Sequence, residues 1–297
     1  MNQLQALSTA ADIVKVPLLY KGKVRELYDL GEHILIVVTD RISAFDYVLK
    51  PAVPEKGLVL NQLSAYWFEQ TSGFQPNHVV HTDIEKLGSE VIDERDKEIL
   101  RGRIMVAQKA VRIDIECVVR GYLIGGGWRQ YAQTGEINGI PLPSGLRKNE
   151  RLSEPIFTPS VKNDIGHDED IRYDLMESSI GKERSAELRD RSIALYRFAH
   201  DYCEQRGIIL ADCKFEFGLI NDKVILIDEL FTPDSSRFWA KANYEIGKDI
   251  DSMDKEPVRR YLAESGWDKN SEPDPLPDYV VAETTLRYKE IYQRLIQ

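Results

Sequence analysis

The chain has 297 residues, 42% of them hydrophobic and 30% charged, enough for a sizeable core and for two lobes around a cleft. Its 39 basic and 49 acidic residues leave a formal charge of −10 with no basic stripe, which argues against nucleic acid and anionic membrane as partners. An anionic small substrate therefore has to be held by local clusters of Lys and Arg.

The N-terminus, MNQLQALSTAADIVK, lacks a signal-peptide pattern, and the run ILIVV at 34–38 is too short to cross a bilayer. KVRELYDLGEHILIVVTD reads as a hairpin turning at Asp29–Leu30–Gly31–Glu32. GLVLNQLSAYWFEQ follows, with Leu60, Leu63 and Trp67 at helical spacing. RIMVAQKAVRIDIECVVRGYL is strand-like, and 138–183 is polar and loop-rich. Leu188, Leu195, Phe198, Ala199, Tyr202 and Cys203 then mark one face of a helix that Gly207 stops. The hairpin IILADCKFEFGLINDKVILIDEL comes next, and a helical pattern over 277–296 closes the chain. Cys117, Cys203 and Cys213 show no C-x-x-C spacing, which fits reduced thiols in a cytoplasmic protein. The order of elements lacks regular βαβ alternation. It predicts an α+β fold with a small β-rich N-terminal lobe, 1–110, and a larger C-terminal lobe, 111–297.

Three stretches can carry chemistry. In YKGKVRELYDL, Lys21, Lys23 and Arg25 fall on one face of an expected strand. Gly22 between the lysines lets a phosphate approach the backbone, although such short alternation is more commonly a solvated basic face. In ECVVRGYLIGGGW, Arg120 and the glycine triplet 125–127 suit either a phosphate nest or a flexible turn. In the 208–230 hairpin, Asp212, Lys214 and Glu216 share a strand face. The continuation TPDSSR adds two hydroxyls and Arg237. Carboxylates so placed are hard ligands for Mg²⁺ on nucleotide phosphates. Joining Glu216 to Asp228 on one face requires a hairpin loop of odd length, Asn221–Asp222–Lys223, and that loop is the expectation. Walker-A, G-x-G-x-x-G, H-E-x-x-H and G-x-S-x-G patterns are missing.

GKVRELY, TDRISAFD, EKGLVLNQLS, ECVVRGYL, PIFTPS, GHDE, DCKFEFG and DELFTPDSSRFW, in this order from residue 22 to about 239, closely resemble the phosphoribosylaminoimidazole-succinocarboxamide synthase (SAICAR synthetase) family. The resemblance implies a ligase of purine biosynthesis. It would join the carboxylate of carboxyaminoimidazole ribonucleotide (CAIR) to the amine of L-aspartate, with ATP going to ADP and phosphate. It implies an antiparallel N-terminal lobe, like the small lobe of a kinase, with ATP between it and the second lobe.

Matched motif by motif, Gly22, Lys23 and Arg25 would contact ATP phosphates, and the backbone around Lys109–Arg112 would hold adenine. Glu216 and Asp228 would hold Mg²⁺. Lys214 would sit at the CAIR carboxylate, with Asp212 as proton acceptor for the aspartate amine. Arg120 and Arg237 would hold the ribotide phosphate, with Asp234 near that substrate and Ser43 and Asp46 on the CAIR or aspartate side. Gly126 stands where the family usually carries a serine on that phosphate, so a backbone N–H would substitute; Ser160–Val161–Lys162–Asn163 replaces the usual S-T-K-A. The partners so implied are small molecules, and the chain would work as a monomer or small homo-oligomer. Another ATP-dependent carboxylate–amine ligase or a phosphotransferase on the same scaffold is the alternative, followed by a non-catalytic nucleotide-binding module.

Overall fold

Apolar residues at alternate positions build the sheets, and the computed structural model describes residues 6–162 and 169–296. The chain forms two compact units. One runs to Val111 and resumes at Asp254; the other is Arg112–Met253.

In the first unit, β1 (Leu18–Lys21), β2 (Arg25–Leu30) and β3 (His33–Val38) form an antiparallel meander. The β2–β3 ladder closes at Leu30 opposite His33, so the turn is Gly31–Glu32. The expected single strand through Lys21, Lys23 and Arg25 does not form. The chain breaks at Gly22, whose N–H bonds the Arg25 carbonyl at 2.8 Å, and 22–24 become the β1–β2 connection. A tight hairpin follows, β4 (Ile42–Ala44) and β5 (Tyr47–Leu49), turning through Phe45 and Asp46 at φ 49° and 67°. Helix α1 (Lys56–Thr71) buries Leu60, Leu63 and Trp67 completely, as their spacing predicts. After β6 (Val79–His81) and the single turn α2 (Lys97–Leu100), β7 (Ile104–Gln108) completes a sheet of order β1-β2-β3-β7-β6.

The second unit opens along β8 (Val111–Tyr122) and α3 (Gly125–Thr134), then the short pair β9 (Glu136–Ile137) and β10 (Ile140–Pro141). β11 (Arg151–Val161), β12 (Glu169–Asp170), α4 (Tyr173–Ile180) and α5 (Lys182–Glu204) follow. β13 (Ile208–Ile220), β14 (Lys223–Ile227) and β15 (Ser236–Ala240) complete a six-stranded sheet of order β12-β11-β8-β13-β14, with β15 also on β13. Helix α5 packs on β13 and β11. It buries Leu188, Leu195, Ala199 and Cys203, joined by Ser192 and Tyr196. Phe198, expected on that face, is 36% exposed because the 3.6-residue period carries 188, 192, 195, 199 and 203 past it.

The expected C-terminal lobe of 111–297 needs correction. Residues from Asp254 on, including α6 (Glu256–Glu264) and α7 (Asp278–Ile296), belong to the first unit. Their apolar faces place Val258, Leu262, Leu276 and Val280 against Ile42, Ala44, Leu49 and Val53. Trp267 adds edge contacts to Phe45 at 5.9 Å and Tyr47 at 5.3 Å. Among the described residues no helix is long and apolar enough to cross a membrane.

One buried acid anchors the first unit. Glu26 is fully buried and accepts from Ala10 N–H (2.8 Å), Thr9 Oγ1 (2.9 Å), Tyr28 Oη (2.8 Å) and Arg41 Nη1 (2.8 Å). Burial alone would raise its pKa from 4.5, but those four donors outweigh it and bring it down to about 2. A carboxyl whose folded pKa is depressed stabilises the fold above its unfolded pKa and stops doing so as pH falls through the folded value. Glu26 should therefore contribute on the order of 3 kcal/mol at neutral pH, lost between pH 4.5 and about 2. Urea unfolding at a series of pH values checks this: Glu26→Gln should be less stable at neutral pH and flatter across that window. A variant as stable as the parent at neutral pH would contradict it.

Candidate active site

Three neighbouring strands of the second unit present a polar face. In register they place Thr158 and Ser160 of β11 beside Val118 and Glu116 of β8, with Lys162 just beyond. Arg120 lies one step further along β8, and Asp212, Lys214 and Glu216 project from β13. Only Val118 is apolar in this set. The opposite face is hydrophobic, with Cys117, Val119, Cys213, Phe215 and Phe217 all buried. Burial under α5 on one side forces period-two alternation, and the charged residues fall on the other.

The charges on this face interlock. Lys214 Nζ donates to Glu116 Oε1 at 2.5 Å, and Lys162 Nζ donates to Glu216 and lies 4.0 Å from Glu116. Burial disfavours the charged form of Lys214, but Glu116 and Glu216 outweigh it and its pKa is raised. Burial raises the pKa of Glu216, the Asp228 carboxylate raises it further, and Lys162 and Lys214 oppose both. Glu116, which sequence reasoning missed, is 5% exposed. Its signal was present, since Arg112, Asp114, Glu116 and Arg120 all fall on alternate positions of β8, with apolar residues between them.

The hairpin loop corrects an expectation. Ile220 pairs with Lys223 and Glu216 with Ile227, so the turn is the two residues Asn221–Asp222, not the odd loop. Both have positive φ, 49° and 60°, the geometry two-residue hairpins favour and Asn and Asp tolerate. Strand parity alone would send Asp228 to the phenylalanine side. Asp228 instead leaves the strand at φ 67°, close enough to Glu216 and Lys214 to shift both. The expected reason for their proximity is therefore wrong: a left-handed residue, not shared strand register, sets it.

β14 and β15 lie along the same edge of β13, and residues 228–235 hang out between them. Phe231, at φ 47°, meets Phe215 edge-on at 5.2 Å and pins the loop. The Ser235 carbonyl accepts from Lys214 N–H at 2.9 Å, and Thr232 bonds Glu229 and Ser235. Asp234 lies in the turn just before β15, its N–H on Thr232 Oγ1 at 3.2 Å.

A β-bulge aims the arginines. Leu210 pairs with Phe238 but Asp212 with Arg237, so Ala211 is the extra residue and Arg237 comes directly opposite Asp212. Arg237 Nη1 and Arg120 Nη1 (3.3 Å) both donate to Asp212 Oδ2, and Arg120 Nε donates to Thr158 Oγ1 at 3.0 Å. An oxygen shared by two guanidiniums orients them, which differs from the proton-acceptor role expected of Asp212. The glycine triplet is neither loop nor isolated nest but the first turn of α3. Gly125 has φ 59°, and a Cβ there would lie 2.8 Å from Arg237 Nη2; one on Gly127 would lie 3.2 Å from Arg120 Cδ. Glycine thus lets both arginines lie against a helix N-terminus, whose unbonded N–H groups and dipole favour an anion. At Gly126 a Cβ would meet only Arg129, at 3.8 Å.

The remaining expected residues lie elsewhere. In the first unit Lys23 is ion-paired with Asp46, at the tip of the β4–β5 hairpin. Ser43 pairs with Val48 in that hairpin, and its carbonyl accepts from Lys255 Nζ at 3.3 Å. Arg25 opens β2, opposite Val38. Lys109 is bonded to Asp29 and Arg112 to Asp114, each at 2.7 Å. Gly166, His167 and Asp168 of the GHDE motif, and Asn163, lie outside the described residues.

Among the described residues no group of three or more His, Cys, Asp or Glu could hold a metal. Glu216 and Asp228 nonetheless suit Mg²⁺. They are two hard oxygen donors whose charges repel each other, and Mg²⁺ usually takes one or two carboxylates and fills its shell with water and phosphate.

Alternating lysines and carboxylates beside an arginine-lined helix N-terminus, on an α+β scaffold, form a face suited to a polyanionic small molecule. A family model described as SAICAR synthetase matches residues 18–274. A phosphoribosylaminoimidazole-succinocarboxamide synthase of Rhodopirellula baltica is 43% identical over 318 residues, covering 100% of this chain and 98% of its own. One of Geobacter metallireducens is 46% identical over 285 residues, 96% of each chain. The SAICAR synthase of Saccharomyces cerevisiae, solved in complex with SAICAR, superposes with a TM-score of 0.87 at 34% identity, covering 99% of this chain and 98% of that one. The chain belongs to the SAICAR synthetase family.

Proposed function

We propose that this protein joins the carboxylate of CAIR to the amine of L-aspartate, converting ATP to ADP and phosphate, in purine biosynthesis. Family membership supports the reaction class. The observation that carries the residue assignment is the single polar face of β8, β11 and β13, ending in two arginines at the start of α3.

In this reading Arg120, Arg237 and the Gly126 N–H hold the ribotide phosphate, with Asp234 beside that substrate. Asp212 keeps the two guanidiniums aimed. Lys214, oriented by Glu116, meets the CAIR carboxylate. Gly22, Lys23 and Arg25 contact the ATP phosphates, and the backbone at Lys109–Arg112 holds adenine. Ser43 and Asp46 serve the CAIR or aspartate side. Glu216 and Asp228 would hold Mg²⁺, which supplies charge neutralisation on the phosphates when bound.

The chemistry explains why so many cations are needed. A carboxylate is a poor electrophile because its oxygen leaves badly. Phosphoryl transfer from ATP converts that oxygen into a phosphate leaving group, but it brings one anion onto another. Fixed lysines offset that repulsion without reorganising. The neutral aspartate amine then attacks the carbonyl carbon and phosphate departs.

ADP release with Mg·ATP tests the assignment. It should require CAIR and L-aspartate together. ADP formed at the same rate without aspartate would overturn the ligase reading in favour of phosphotransfer.

A further inference from the structure

Gly22–Val24 is a three-residue bend that leads into Arg25 at the start of β2, yet each carbonyl from Gly22 to Arg25 is held. Arg41 donates from Nη2 to the Gly22 carbonyl at 3.0 Å and from Nε to the Lys23 carbonyl at 3.1 Å. Its Nη2 also lies 3.4 Å from the Arg25 carbonyl, whose closer donor is the Gly22 N–H at 2.8 Å. The Val24 carbonyl accepts from Thr39 twice, from N–H at 3.0 Å and Oγ1 at 2.5 Å. Arg41 is itself fixed from behind. Its Nη1 bonds Glu26 at 2.8 Å and the Ser8 carbonyl at 2.5 Å, and the residue is 8% exposed. All five guanidinium protons face a defined oxygen, which only a planar fork can arrange.

A carbonyl oxygen turned toward a phosphate repels it. A loop that brings Lys23 and Arg25 to an anion therefore needs its carbonyls directed elsewhere. We infer that Arg41, seated on Glu26 and assisted by Thr39, is the positioning group of this loop: it draws the carbonyls of 22–25 toward the core so that the loop can accept phosphate. This rests on the reading that Gly22, Lys23 and Arg25 contact ATP phosphates. Arg41 touches no substrate in this scheme; it acts through the backbone it holds.

The test is Mg·ADP affinity by calorimetry on the full chain, at a temperature where every variant is folded. Arg41→Lys keeps a cation beside Glu26 but cannot reach three carbonyls. It should weaken Mg·ADP about tenfold to a hundredfold, the effect of losing one or two charged hydrogen bonds, and raise the KM for ATP while leaving that for CAIR. Thr39→Val, which removes only the hydroxyl bond to Val24, should weaken Mg·ADP to a smaller extent and serves if Arg41→Lys does not fold. Leu100→Ala, in the buried core of the same unit, is the stability control: it should lower Tm without changing the Mg·ADP affinity. Unchanged affinity in both loop variants, or an equal loss in the Leu100→Ala control, would overturn the inference. Lys23→Ala separates it from its premise. If that variant binds Mg·ADP normally, the phosphate reading itself falls; if it binds weakly while the loop variants bind normally, only the positioning role falls.

Discussion

Glu216→Gln should reduce kcat by about a hundredfold or more while the protein stays folded, and Asp228→Asn should do the same. The size follows from what the carboxylates would do. A preorganised electrostatic contact to charge that moves during reaction is typically worth ~10²–10³ in rate, and here two such groups would act on the same phosphates. Folding should suffer little. Burial and Asp228 already press Glu216 toward its neutral form, so a neutral amide of the same shape relieves a conflict even as Lys162 loses an ionic partner. Steady-state kinetics at saturating substrates, with a thermal melt on the same samples, decides it. A variant that keeps more than about a tenth of the parental kcat would remove the carboxylate pair from the mechanism.

Arg237→Ala should raise the KM for CAIR roughly tenfold to a hundredfold and leave the KM for ATP within about twofold, because a desolvated charged hydrogen bond is worth ~1.5–3 kcal/mol. Arg237 is held against Gly125 and Asp212, so it reaches the helix N-terminus already oriented. Removing it leaves Arg120 alone with Asp212, and the carboxylate then competes with the phosphate for one cation in place of two. Arg237→Lys should recover only part of the loss, since an ammonium keeps the charge without the fork. An effect confined to the ATP KM would assign Arg237 to the other substrate.

Much of this architecture was legible locally. Leu60, Leu63 and Trp67 announced α1, and the alternation of Asp212, Lys214 and Glu216 announced a strand with one polar face. What failed was parity. An odd hairpin loop would put Glu216 and Asp228 on one face, but Asn221–Asp222 spells a two-residue turn. Strand register gave no warning of the positive φ at Asp228 that makes the loop length irrelevant to their meeting. The glycine triplet hid a helix because glycine is a poor helix former; the two arginines lying against Gly125 and Gly127 explain those two. The attachment of 254–297 to the first unit depends on contacts between residues more than two hundred positions apart, such as Trp267 with Phe45, and no local pattern encodes them.

Beyond the bulge at Ala211, β13 carries both ends of the polar face, Asp212 among the arginines and Glu216 beside Lys162. At a rise of about 3.3 Å per residue those two stations stand ~13 Å apart. The strand is in effect a ruler with graduations on alternate residues. Side-chain substitution can change what stands at a mark but not the spacing of the marks. Only insertion or deletion can, and only in pairs if the marks are to stay on one face. The reach of any ligand that must touch both stations is thereby set by covalent geometry, which leaves the scaffold free to vary its chemistry and poorly able to vary its scale.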